Sequence, residues 1–222
     1  SGEEVSLIGL SDFFEYADEE DQPVIIVLPT RMNLSPNFDA NGNRYSDVNE
    51  VDLRGYIRDL IEGKYGNAEI SAFEIGNEYW GSGEMTAVEY GRLASDMALI
   101  INDELERAGN SSIDIVVQKG NNFGYSRISD EYEGVSAKTA LDDLNDRFDV
   151  DFGHGATFGS GEVNWGYINS KLIMQGFDSQ QEIDAIDGVV THIYSRGESG
   201  VSTRYFDLDQ INDTWLEFIP EL

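Results

Sequence analysis

The residues best suited to chemistry in this 222-residue chain cluster in FEIGNEYWGSGEMTAVEYGRLA, from Phe73 to Ala94. Asn77 and Glu78 follow directly on a strand-like run, Tyr79 and Trp80 come next, and a Gly-containing turn leads into a helix. A carboxyl group can protonate a departing oxygen near neutral pH when its surroundings disfavour the ionised form. Tyr79 and Trp80 could supply an apolar wall of that kind. An indole face also offers a flat apolar surface for stacking, and an amide such as Asn77 can bond a ligand hydroxyl. A second polar pair lies in DGVVTHIYSRGE (187–198), where His192 and Tyr194 stand two apart and would share one face of a strand. Gln118 ends a third strand-like run. Taken singly, Asn77 and Glu78 also fit a plain turn, and His192 a hydrogen-bonded core histidine. The order strand, polar pair, aromatic pair and capped helix favours a site.

The elements that must hold these residues alternate. VIIVL (24–28) lies between Pro23 and Pro29, and its unbroken apolar character reads as a strand buried on both faces. IDIVV (113–117), IDGVVTHIY (186–194) and the weaker EISAFEIG (69–76) are similar. The clearest helix runs from Thr86 to Ala108, with a Thr86–Glu89 capping box, a Gly109 stop and an apolar stripe of Tyr90, Leu93, Met97, Ile101 and Leu105. Further helices are expected over 11–19, 48–62, 163–177 and 207–218. Residues 120–162, rich in Gly, Asn, Asp and Ser, read as an elaborated loop with at most a short helix near 137–147. The alternation implies an α/β fold of parallel βαβ units with helices outside the strands.

The segment around Asn77 and Glu78 resembles the fourth strand of clan A glycoside hydrolases, the retaining (β/α)8 glycosidases, and is most similar to the arabinofuranosidase and β-xylosidase branches. The resemblance implies that Glu78 is the general acid/base and that Asn77 sits beside the sugar 2-hydroxyl, with Trp80 at the sugar. His192 and Tyr194 match a polar-aromatic pattern ending strand six, which would place Tyr194 against the nucleophile and His192 in the cleaved-sugar subsite. Gln118 would be a further substrate contact and Trp165 would line the barrel mouth. No cofactor and no metal are expected.

Retaining hydrolysis needs a second carboxylate about 5–5.5 Å from the first. In clan A it ends strand seven, whereas this chain stops at IPEL, near where that strand should begin. Glu198, Glu217 and Glu221 end no strand-like run, so none is assigned as nucleophile. The resemblance therefore covers strands three to six. The expected fold is a partial (β/α)8 TIM barrel of about four parallel strands, with residues 1–222 as a single domain forming the central portion. Such a half barrel exposes two strand edges and an open interior, so self-association or reliance on the remainder of the barrel is expected.

Composition limits the alternatives. Forty-three acidic residues against fourteen basic ones give a formal charge of −29, which argues against nucleic acid or anionic membrane as a partner. Scarce Lys with abundant acid suits either a saline setting or an ordinary acidic soluble protein. The absence of cysteine excludes disulfides and thiolate chemistry, and two histidines make a His-rich zinc site poor. No apolar run reaches a membrane-span length. No signal-peptide pattern is visible, so secretion is expected from a carbohydrate substrate and acidity alone. Two weaker patterns remain. DANGNRYSDVNE (39–50) spaces its acids and amides like a calcium loop, but Arg44 stands where Gly is needed, and a turn-rich loop explains it more simply. GHGATFG (153–159) loosely matches a dinucleotide fingerprint. The rival functions are thus a non-catalytic carbohydrate-binding relative and a nucleotide-binding α/β enzyme.

Overall fold

A computed structural model describes residues 8–81, 84–121, 127–192, 214–216, 218 and 219. Helix α1 (Leu10–Glu19) precedes β1 (Val24–Leu28), followed by β2 (Leu34–Phe38), β3 (Arg44–Ser46), α2 (Glu50–Ile61) and β4 (Ile70–Ile75). Then come α3 (Ala87–Ala108), β5 (Asp114–Gln118), α4 (Arg127–Asp130), α5 (Ala137–Phe148), α6 (Trp165–Met174), α7 (Gln180–Ile183) and β6 (Gly188–Val190). Strands β1, β4, β5 and β6 form one parallel sheet in that order, so spatial order follows chain order without reversal. No helix among the described residues is long and apolar enough to cross a membrane.

The two faces of this sheet differ. On one, Val24, Ile26, Leu28, Phe73, Ile75, Ile115 and Val117 are buried, and α3 lies against β4 and β5. On the other, Ile25 and Val27 remain 56% and 47% exposed, although VIIVL is apolar throughout. Burial on both faces was the expectation for β1; only the helix-covered face meets it. Alternation along a strand sends Ile25 and Val27 to the side opposite the buried Val24, Ile26 and Leu28, where they stay exposed.

Helix α3 forms where its local signals place it. Thr86 Oγ1 accepts from the Glu89 N–H, the Glu89 carboxylate accepts from the Thr86 N–H, and Gly109 adopts the left-handed conformation at the far end. Its inward residues, among them Tyr90, Leu93, Met97 and Ile101, are buried. Gly91 lets α3 touch the end of α6 through backbone, since a Cβ there would stand 2.3 Å from the Ile173 carbonyl oxygen.

The segment 39–50 is not one loop. Antiparallel β2 and β3 form a hairpin whose tip is closed by Asp39, which accepts from the Asn41 and Asn43 N–H groups and pairs with Arg92. Asn49 and Glu50 belong to the start of α2. The residues spaced like calcium ligands are thereby divided among the hairpin tip, the link after β3 and the start of α2. The hairpin is pinned to α3 by Arg44, which donates through its backbone N–H and guanidinium to the fully buried Glu89. Thr86 Oγ1 donates to Asn43 Oδ1 at 2.8 Å.

The expected loop over 120–162 also carries more structure than its composition suggests: α4, α5 and a 3-10 turn at Gly153–Ala156. That turn follows α5 rather than a strand, so GHGATFG lacks the strand–turn–helix geometry a dinucleotide pyrophosphate requires. Of the helix expected over 207–218, only residues 214–216 and 218 are described; Thr214 and Trp215 are helical, and Trp215 is buried edge-on to Phe218.

Candidate functional site at the sheet's carboxyl tips

Strand β4 ends at Ile75, and the chain then turns twice through left-handed backbone, at Gly76 (φ 78°) and Glu78 (φ 45°). Gly76 is hemmed in as well as twisted, because a Cβ would sit 3.0 Å from the Thr30 side chain. Glu78 carries a side chain in a conformation that costs an L-residue about 1–2 kcal/mol. Such local strain persists only when surrounding contacts over-determine it. Here the contacts are identifiable: Gly81 N–H donates to the Glu78 carbonyl at 2.8 Å, Met85 N–H donates to the Tyr79 carbonyl at 3.0 Å, and the Tyr79 ring is locked in the core.

Tyr79 does not wall the Glu78 carboxyl, as expected from sequence, but anchors the turn from beneath. It is fully buried and stacked on Tyr90 at 4.8 Å, and its hydroxyl donates to Asn121 Oδ1 at 2.8 Å. Burial pushes its phenol well above the ordinary tyrosine range against the smaller opposing pull of the Asn121 N–H. The positive φ at Glu78 explains the switch, because it redirects the chain so that the next side chain enters the core. Trp80 packs edge-on to Tyr79 at 5.1 Å and stays half-buried. Asn77 is exposed at the same tip.

Gln118 ends β5, as its position predicts, and is buried. Its Nε2 donates to Glu74 Oε1 and to the Gly76 carbonyl, both at 3.0 Å, while its Oε1 accepts from the Tyr79 N–H at 3.1 Å. Its backbone N–H donates to the Tyr90 hydroxyl, which in turn donates to the Ile75 carbonyl. The amide therefore braces the β4 turn from the neighbouring strand. Tyr90 is likewise driven well above the ordinary range, first by burial and further by the Glu74 charge, against the Gln118 N–H.

His192, two residues past β6, meets two carboxyl groups. Its Nε2 lies 2.9 Å from Glu74 Oε1 and its Nδ1 lies 3.6 Å from Glu78 Oε1. The first is a hydrogen bond; the second is beyond one. Side-chain exposure rises along the trio from Glu74 (8%) through His192 (21%) to Glu78 (27%). The structure thus brings together Glu78, Gln118 and His192 with Asn77 and Trp80 on the adjoining turn, whereas Tyr194 lies outside the described residues. Trp165 packs against Tyr132 at the start of α6. Among the described residues, no group of three or more acidic or histidine side chains is arranged to hold a metal ion.

Glu74 is the residue that sequence reasoning missed. The visible signal was a charged residue interrupting the apolar strand ISAFEI, on the same parity as Ala72. Its partners, from β5 and beyond β6, lie far away in sequence and meet it only through the sheet.

No protein-family model, curated protein or solved structure matches this chain.

Proposed function

We propose that this chain is the central portion of a (β/α)8 barrel and contributes the acid/base half of a retaining glycoside hydrolase site. The observation that carries the reading is Glu78: a partly exposed carboxyl on strained backbone at a parallel strand's carboxyl tip, facing His192 beyond β6. Active sites of barrel enzymes gather at that end, and strain accumulates where a side chain must be aimed. The sequential order β1-β4-β5-β6, with a helix-covered face and a second face on which Ile25 and Val27 stay exposed, favours a barrel segment over a doubly wound sheet, whose strand order reverses.

In this reading the Glu78 carboxyl gives its proton to the leaving oxygen as the glycosidic C–O bond breaks. A carboxylate from a strand beyond this chain bonds the anomeric carbon. Glu78, now a carboxylate, then takes a proton from the water that releases the sugar. Asn77 holds the 2-hydroxyl, Trp80 stacks on the ring, and His192 and Tyr194 line the subsite. Gln118 serves as brace rather than substrate contact, because its amide is already engaged by Glu74, Gly76 and Tyr79. The chemistry requires no cofactor, and the substrate is an extracellular poly- or oligosaccharide. The exposed Ile25 and Val27 fit an interior covered by further strands or by a second copy.

The test uses the full-length gene product and a panel of aryl glycosides. Glu78→Gln should lower turnover of substrates with poor leaving groups by about 10²–10⁴-fold. Activated leaving groups, which need no proton, should suffer far less in the bond-breaking step. Undiminished activity on the poor leaving groups removes Glu78 from the acid role, and sugar binding without turnover in the parent protein favours a binding relative.

A further inference from the structure

The Glu74–His192 contact has a chemical consequence that depends on which ring nitrogen carries hydrogen. Glu74 Oε1 already accepts the Gln118 amide N–H at 3.0 Å. An ionised carboxylate can only accept, so the imidazole nitrogen 2.9 Å away must be the donor. That nitrogen is Nε2. In a neutral ring the lone pair then falls on Nδ1, which faces Glu78 Oε1 at 3.6 Å. Opposite an acceptor lone pair, a protonated carboxyl is electrostatically matched and a carboxylate is not.

We propose that Glu74 is a positioning residue whose buried carboxylate, braced by Gln118, fixes His192 as the Nε2–H tautomer and turns an acceptor nitrogen toward Glu78. With Glu74 as a carboxylate, the tautomer lock follows from the geometry. Its use, keeping the proton donor loaded between turnovers, rests on the glycosidase reading. The groups around the imidazole are consistent with this arrangement. From β4 and the turn after it come Glu74 and Glu78, and from β5 the neutral Gln118; the next residue, Lys119, is buried. Behind Gln118 stands the Tyr90 phenol, which burial keeps in its neutral form. Both described partners of the Glu74 carboxylate, an amide and an imidazole, are donors with well-defined directions rather than a guanidinium. That choice suits orientation more than charge neutralisation.

The chain holds only two histidines, and the other, His154, is exposed in the 3-10 turn, so each nitrogen spectrum contains its own control. Side-chain ¹⁵N spectra at pH 7.5 on this chain should show His192 as a single Nε2–H tautomer. Glu74→Gln keeps a carbonyl oxygen where Oε1 stands, so the tautomer should survive. Glu74→Ala removes the acceptor, and His192 should relax to a mixture resembling His154. A mixed or Nδ1–H ring in the parent chain overturns the lock, and needs no variant to fold. A tautomer unmoved by Glu74→Ala also overturns it.

In the full-length gene product, Glu74→Ala should lower kcat on poor leaving groups at least about tenfold with KM little changed, and Glu74→Gln should restore most of that loss. A fixed tautomer in a protein without glycosidase activity would sink the functional reading and leave the lock standing. A mixed tautomer in an active enzyme would do the reverse.

Discussion

Glu89 and Glu74 are both nearly stripped of solvent, one in the first turn of α3 and one on the open face of β4, and they are satisfied in opposite ways. Glu89 takes a fixed cation, Arg44, at 2.8 Å, together with the N–H groups of Arg44 and Thr86. Burial alone would raise its carboxyl, but those donors outweigh it and hold the group below the usual carboxylate range. Glu74 has an amide and an imidazole. The first set of partners leaves no freedom in charge and clamps a hairpin to a helix. The second leaves an imidazole between a buried acid and a more exposed one, the kind of arrangement that chemistry can use. A similar division separates the two faces of the sheet: the helix-covered side is closed by packing, and the other carries the exposed Ile25 and Val27 of β1 beside the buried Glu74 and the more accessible His192 and Glu78.

The largest effects should separate the two sides directly. Phe73 is wholly buried under the helices, and Phe73→Ala should cost about 3–5 kcal/mol in urea unfolding. Val27, about half exposed on the open side, should tolerate Val27→Thr within about 0.5 kcal/mol. A large cost at Val27 that grows with protein concentration would break the contrast, because it would mean that a second copy covers the open face in solution.

The next effect separates the two glutamates. Glu89→Gln weakens charge-assisted bonds to Arg44 and should cost about 1.5–3 kcal/mol at pH 7. The sign with pH follows from its lowered carboxyl. The ionised pair contributes fully above the unfolded-chain value of about pH 4.3 and is lost as pH falls through the lower folded-state value. Urea midpoints of wild type and Glu89→Gln should therefore converge between pH 7 and pH 3. Glu74→Gln, which leaves an oxygen for both donors, should cost less than about 1 kcal/mol at pH 7. Equal losses at the two positions would end the distinction between clamp and site.

What the sequence made legible was local. Thr86 and Glu89 announce the start of α3 and Gly109 its end, because caps and left-handed stops are decided within a few residues. Apolar runs between breakers mark β1 and β5, and Gln118 falls at a strand tip as expected. The hairpin was hidden because β2, LSPNF, holds a proline, has no apolar alternation and is largely exposed; its stability comes from Arg44 and Asn43 reaching α3. Glu74 was hidden for the complementary reason: its meaning depends on which strands flank it. The fate of Tyr79 turned on one dihedral angle, at Glu78, that no residue-type pattern encodes.

That dihedral supplies the smallest and most discriminating test. At φ 45° the Glu78 side chain costs about 1–2 kcal/mol, and relieving it with Glu78→Gly costs about 0.5–1 kcal/mol in added unfolded-state entropy. The balance should leave Glu78→Gly as stable as wild type or up to about 1.5 kcal/mol more stable, measured by urea unfolding. A turn residue chosen for structure would lose stability on replacement, since its contacts would be what kept it there. A residue chosen for chemistry should lose activity and keep or gain stability, because the fold has been bearing its strain. Clear destabilisation of Glu78→Gly would therefore return Glu78 to the scaffold and move the open-side line of acids and imidazole back to ordinary packing.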